Sequence, residues 1–219
     1  MIPKWCLCLI LIALAPTLWG GDGKDPHPGL MDPSKATEKA PDNYRVKFTT
    51  TKGDVVFRVV REWSPIGADR FYNLVRIGYF NRIGFYRVVT GFVVQFGFSG
   101  DPKVNKVWSN NFVKDDPQKM SNSKGRLVFA NRGPNTRSTQ LFINTRDNPN
   151  LDPMGFTPFG EVEGEGMAVI AKLYAGYGEG PPYGPGPVQR RLEREGNAYL
   201  EAEFPKLDFI LSAEILPEK

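Results

Sequence analysis

Arg87 stands two residues after Phe85 and eight before Gln95, in the run Phe85-Tyr86-Arg87-Val88-Val89-Thr90-Gly91-Phe92-Val93-Val94-Gln95-Phe96-Gly97. A second run follows, from Phe129-Ala130-Asn131-Arg132-Gly133-Pro134-Asn135-Thr136 through Gln140-Leu141-Phe142-Ile143. Together they bring one guanidinium, several amides and several aromatic rings to short strands around an expected shallow apolar pocket. No nucleophile paired with a base is among them, so the set suits chemistry in which no covalent bond is made or broken. Gln95 lies in an otherwise apolar run, where an amide left without partners would cost about 1–3 kcal/mol. Lining a pocket that receives polar ligand groups explains it better than a wholly internal role. Asn131 falls where a strand gives way to a loop, a place where an extended peptide finds unpaired backbone groups. By strand alternation Gln140 and Phe142 share one face, and Leu141 and Ile143 the other.

Composition removes most other chemistries. Both cysteines, Cys6 and Cys8, lie near the N-terminus, and the only histidine, His27, sits in a Pro/Gly-rich tract. The body of the chain therefore has no thiolate nucleophile, no disulfide, no Ser-His-Asp triad and no histidine or cysteine metal site. A net charge of +4 without Lys/Arg blocks argues against a nucleic-acid partner. The pocket-forming segments hold no conspicuous pair of acids, which ranks a carboxylate hydrolase low. No metal and no cofactor are expected.

The elements that must position these residues are mostly short strands. Val46 and Phe48 alternate with Arg45, Lys47 and Thr49, and after a turn at 51–54 the chain returns through 55–60. Ser64 as N-cap, Pro65 at the first helical position and Gly78 at the end predict a helix. Strands are expected over 84–89, 92–98, 126–130, 140–144 and 159–162. A second helix is expected over 166–174, a surface loop over 175–187 and a short exposed helix, broken at Gly196, over 188–202. The last strand alternates Phe209, Leu211, Ala213 and Ile215 on its apolar face and should pair with the first strands. Many short strands with polar turns predict a mainly β chain: a closed antiparallel β-barrel of about eight strands, capped by two helices.

A chain of 219 residues with 41% apolar content supports one sizeable domain. Lys4 followed by an apolar run over 5–15 reads as a secretory signal segment over 1–20, with an uncleaved membrane anchor as the second reading. A disordered linker is expected over 21–43 and the folded domain over 44–217. The expected location is exported: periplasmic, secreted or in the lumen of a secretory pathway.

The two runs resemble the signature regions of the cyclophilin-type peptidyl-prolyl isomerases. The likeness rests on Phe85-x-Arg87, Gly91-Phe92, Gln95-x-Gly97, Ala130-Asn131-x-Gly133-Pro134-Asn135-Thr136 and Gln140-x-Phe142-Ile143. It extends to Ser64-Pro65, to Phe156-x-x-Phe159-Gly160 and to the closing strand, from about Tyr44 to Ile215. The resemblance implies a cyclophilin-like barrel and an isomerase acting on proline-containing peptides and unfolded protein clients as a monomer. It makes Arg87 the catalytic guanidinium, and puts Phe92, Val93, Phe142 and Leu151 around the proline ring, with Phe156 as a further wall. Gln95, counted with Arg87 in the catalytic pair, would hydrogen-bond the substrate backbone together with Asn131 and Gln140, flanked by Ala130 and Arg132. Family members often carry Met at the position of Val93 and Ala at that of Arg132. Asn150 and Phe156 stand where many carry Trp and His. That Trp contacts cyclosporin in the family, so cyclosporin binding is in question here. A non-catalytic module that binds proline peptides in the same groove is the second functional reading.

Overall fold

The computed structural model describes residues 26–217; the expected signal segment, with Cys6 and Cys8, lies outside them. The described residues form a nine-stranded antiparallel sheet curled into a half-barrel. The strands are β1 (Asn43–Thr50), β2 (Gly53–Val60), β3 (Ile83–Gly84), β4 (Arg87–Val89), β5 (Val93–Phe96), β6 (Arg126–Phe129), β7 (Leu141–Asn144), β8 (Pro158–Val162) and β9 (Phe209–Leu216). Their order is β3-β9-β1-β2-β8-β6-β7-β5-β4. The two end strands, β3 and β4, are consecutive in the chain, so Phe85 and Tyr86 bridge the gap between the sheet's ends.

Strands β3 to β8 are short because glycine, proline and asparagine interrupt them, and the alternation of the strands gives the sheet a core face. Val46, Phe48, Phe57, Val59, Val94, Phe96, Leu127, Phe129 and Ile143 are all buried in one main core. Helix α1 (Pro65–Arg76) lays Ala68, Phe71, Leu74 and Val75 on that core. Among the described residues four shorter α-helices follow: α2 (Pro102–Trp108), α3 (Gly166–Ile170), α4 (Gln189–Glu195) and α5 (Asn197–Glu203).

Several expectations change in detail. Residues 26–42 are not a free linker: the Trp108 indole donates to the Leu30 carbonyl at 3.0 Å. Asn73 exchanges hydrogen bonds with the backbone of Glu38, and the Ala40 amide donates to Asp69. His27 there turns its Nδ1 inward to accept from the Gly29 amide at 3.0 Å.

Ser64 occupies the N-cap of α1 without capping it by its own side chain. That work falls to Asp116, whose carboxylate accepts from the amides of Ile66 and Gly67 at 3.0 Å and from the Ser64 hydroxyl. Arg137, fully buried, donates to the same carboxylate at 2.9 Å.

On β9 the apolar alternation breaks at a bulge: Thr49 pairs with Ser212, but Thr50 pairs with Ile210. Ile210 is consequently the core residue, and Leu211 is exposed.

Helix α2, which sequence periodicity did not mark, starts at an Asp101 cap with Pro102 first. The stretch expected as an exposed helix over 188–202 is two helices split at Gly196, whose φ of 62° favours glycine. It is not merely a surface element. Leu192, Tyr199 and Leu200 join Phe204 and Leu207 in a second buried cluster that also takes in Tyr86 and Phe98.

Candidate active site

The strand register puts the site together. Arg87 on β4 pairs with Gln95 on β5, Gln95 with Phe142 on β7, and Phe142 with Val128 on β6. Directly paired residues share a face, so these four form one row across the sheet. The adjacent row, Val88–Val94–Ile143–Leu127, turns the other way into the main core. The row therefore has a cationic end, an amide in the middle and an apolar end.

At the apolar end Val93, Val128, Phe142 and Leu151 form a buried cluster with Phe92, Ala130 and Phe156 packed against it. Leu151 arrives on a 3-10 turn, Pro149–Met154. Phe156 meets Phe142 edge-on, with centroids 5.5 Å apart. The apolar residues expected around a proline ring thus come together, and Val128 joins them. Nothing in the sequence separated Val128 from an ordinary core valine.

At the polar end the Arg87 guanidinium is held on three sides. Its Nη1 donates to Gln95 Oε1 at 3.1 Å, and its Cζ lies 5.7 Å from the Phe92 ring centroid. Its Nε and Nη2 donate to the two carboxylate oxygens of Glu179, each at 2.6 Å. These hydrogen bonds hold the Glu179 carboxyl below its usual range, with burial opposing them. Sequence reasoning missed Glu179. It is a single acid in the Gly/Pro-rich tract 175–187, a composition that signals a loop but not where the loop lies.

The remaining amides form a chain. Gln140 Oε1 accepts from the Tyr86 hydroxyl at 2.7 Å and from Gln95 Nε2 at 3.4 Å. Burial pushes the Tyr86 hydroxyl well above its ordinary pKa, so it remains a donor. Asn131 follows β6, and its amide donates to the Gly155 carbonyl at 3.3 Å. Ala130, Asn131 and Arg132 line a cavity of about 580 Å³ with Gln95 and Gln140, and the 175–187 loop and the start of α4 supply its opposite wall. Every expected site residue except the apolar set therefore faces this cavity or the guanidinium beside it.

Residues 45–190 match the family model described as cyclophilin type peptidyl-prolyl cis-trans isomerase/CLD. The chain belongs to the cyclophilin-type peptidyl-prolyl isomerases. It is 34% identical over 134 residues to the human peptidyl-prolyl cis-trans isomerase-like 3, covering 58% of this chain and 80% of that protein. To an Arabidopsis thaliana peptidyl-prolyl cis-trans isomerase it is 31% identical over 144 residues, 62% of this chain and 88% of the relative. In fold this cyclophilin matches a cyclophilin-type isomerase from Cryptosporidium parvum with a TM-score of 0.60 at 20% identity, over 81% of this chain and 99% of the other. The family match takes in the loop that carries Glu179 and stops at the second residue of α4, so most of the α4–α5 pair and β9 lie beyond it.

Proposed function

We propose that this isomerase assists protein folding by turning prolyl bonds of extended or unfolded clients in the groove between Phe142 and Arg87. The single observation behind this reading is the row Arg87–Gln95–Phe142–Val128, which offers a donor a short step from an apolar seat. Amide resonance sets a rotation barrier of about 18–20 kcal/mol, and an uncatalysed prolyl bond turns in roughly tens to hundreds of seconds. Half-way round, conjugation is lost and the prolyl nitrogen regains a localised lone pair. A guanidinium N–H aimed at that nitrogen gains an acceptor only in the twisted state, so it stabilises the transition state over both planar forms. One such donor is worth about 3–4 kcal/mol, roughly two to three decades in rate.

In this reading Phe92, Val93, Phe142, Leu151 and Phe156 grip the proline ring. Gln95, Asn131 and Gln140 hold the chain on either side, and Ala130 and Arg132 flank it. Arginine suits the role because its donors lie in a fixed plane and its charge is permanent. The apolar run over 5–15 supports export as the route to such clients.

A protease-coupled assay on a prolyl tetrapeptide tests the reading. Catalysed turnover that disappears in Arg87→Ala supports it. A wild-type protein that binds the peptide without speeding its isomerisation would instead make the groove a docking site.

A further inference from the structure

The mechanism above needs a guanidinium whose direction is fixed before the substrate arrives. A free arginine side chain is long and has many rotamers. Gln95 supplies one contact, at the Nη1 atom, and that alone leaves the planar head free to pivot.

Glu179 removes that freedom. Its two oxygens meet Nε and Nη2 at 2.6 Å each, so the fork is gripped side-on in the bidentate arrangement that fixes the plane of the group. A guanidinium has five N–H donors. Three are taken by Glu179 and Gln95, and the two that remain belong to the terminal nitrogens.

The loop that delivers Glu179 is built to hold it still. The Glu179 carbonyl accepts from the Gly186 amide at 2.8 Å, and the Gly180 amide donates to Glu179 Oε1 at 3.1 Å. Gly184 packs so closely on the Glu179 carbonyl that a methyl group there would collide with it. At the start of the loop, the Tyr177 ring rests edge-on against Tyr174 and Phe204, with centroids 5.0 Å away in both cases. After it, the Val188 amide donates to the Tyr199 hydroxyl at 3.0 Å. Phe204 and Tyr199 belong to the second buried cluster, which also contains Tyr86, the residue before Arg87. The same cluster therefore anchors both partners of the pair. Such a frame suits a fixed clamp better than a swinging lid.

We propose that Glu179 is a positioning residue for the isomerase reaction, and that the 175–207 segment is the frame that keeps it on Arg87. The inference rests on Arg87 being the group that meets the prolyl nitrogen. The clamp turns the two remaining donors toward the substrate side and acts on turnover rather than on peptide affinity.

The test measures kcat and KM separately, by exchange NMR on a prolyl peptide, for wild type, Glu179→Gln, Glu179→Ala, Arg87→Ala and the double variant Arg87→Ala/Glu179→Ala. The clamp predicts a fall in kcat of about tenfold or more for both Glu179 variants, with KM within about twofold of wild type. It also predicts that the Arg87 Nε–H resonance moves upfield in Glu179→Gln, a variant that keeps the side chain's size. In the Arg87→Ala background, Glu179→Ala should change the residual rate by less than about twofold, because the clamp has nothing left to hold. Glu179 variants at the wild-type kcat would overturn the inference. So would a raised kcat, which would make the carboxylate a brake, or a full additive loss in the double variant, which would make it a stability residue. A wild-type protein without turnover would sink the functional reading together with this one, whereas an active wild type with unaffected Glu179 variants sinks this one alone.

Discussion

Arg87 and Gln95 face each other across the β4–β5 hairpin, and the Gln95 amide oxygen accepts from the Arg87 guanidinium at 3.1 Å. Among the described residues the arginine sits on an end strand of the sheet, paired with β5, and its head group lies outside the three buried clusters. Its removal should spare the fold and cost the reaction. Arg87→Ala is expected to lower kcat/KM by roughly two to three decades, with an unchanged far-UV circular dichroism spectrum. Arg87→Lys should recover little of this, because an ammonium cannot be gripped side-on and still present fixed donors. Near-wild-type turnover in either variant would contradict the assignment.

The pH profile carries a second expectation. No group in the proposed step gains or loses a proton, so kcat/KM should be flat from about pH 6 to 9. The acid side differs. The folded-state value of the Glu179 carboxyl is depressed below 4.5, chiefly by its hydrogen bonds with Arg87. A depressed carboxyl keeps its pair intact above the unfolded value and loses it only as pH falls through the lower folded value. Turnover should therefore hold through pH 5 and decline below 4.5. In Glu179→Gln the rate should already be low at neutral pH, without that acid step. A bell-shaped profile centred between pH 6 and 9 would refute the proton-free mechanism.

Stability should hinge on Asp116 and Arg137, which form an ion pair at 2.9 Å with side chains 3% and 1% exposed. Removing one partner of a buried pair leaves an uncompensated charge and costs about 3–5 kcal/mol. Arg137→Met is expected to lower the free energy of unfolding by an amount in that range, measured by urea titration. Burial pushes the Asp116 carboxyl up, but hydrogen bonds from Ser64, Ile66, Arg137 and Gly67 outweigh it and hold the group below 3.8. Its contribution to stability is accordingly present above pH 3.8 and fades as pH falls through the folded value. An Arg137→Met protein as stable as wild type would show that the pair is replaceable.

Gly184→Ala offers a way to disturb the clamp without touching either charged residue. The added methyl must displace the Glu179 carbonyl. The expected result is a fall in kcat in the same direction as Glu179→Gln. The melting temperature should change by only a few degrees, since the loop lies at the surface. Unchanged kcat in Gly184→Ala would mean that the loop backbone does not set the Glu179 position.

The sequence made the strands and the site's inventory readable because both follow local rules. Alternation placed Gln140 with Phe142 and Leu141 with Ile143, and the structure puts Leu141 and Ile143 in the main core while Phe142 faces the site. The helix at Pro65 was marked by Ser64 and the proline at its start and by Gly78 at its end. What sequence concealed was long-range. Asp116 caps α1 from fifty residues away, so Ser64 looked sufficient by itself. A bulge opposite Thr49 and Thr50 moved the core position on β9 from Leu211 to Ile210. The acid that grips Arg87 is ninety-two residues downstream, in a tract whose glycines and prolines declare a turn but not its destination. Residues 26–42 looked like a linker because their anchors, Trp108, Asn73 and Asp69, belong to other elements.

The site is drawn perpendicular to the chain, across β4, β5, β7 and β6, and this governs what editing it will tolerate. One residue gained or lost between Val89 and Val93 would shift β4 by a single step against β5 and turn Arg87 to the opposite side of the sheet, however faithfully its neighbours were kept. Length in that hairpin is as much a part of the catalytic apparatus as any side chain, and libraries that vary its composition at constant length should yield active enzymes far more often than those that vary its span.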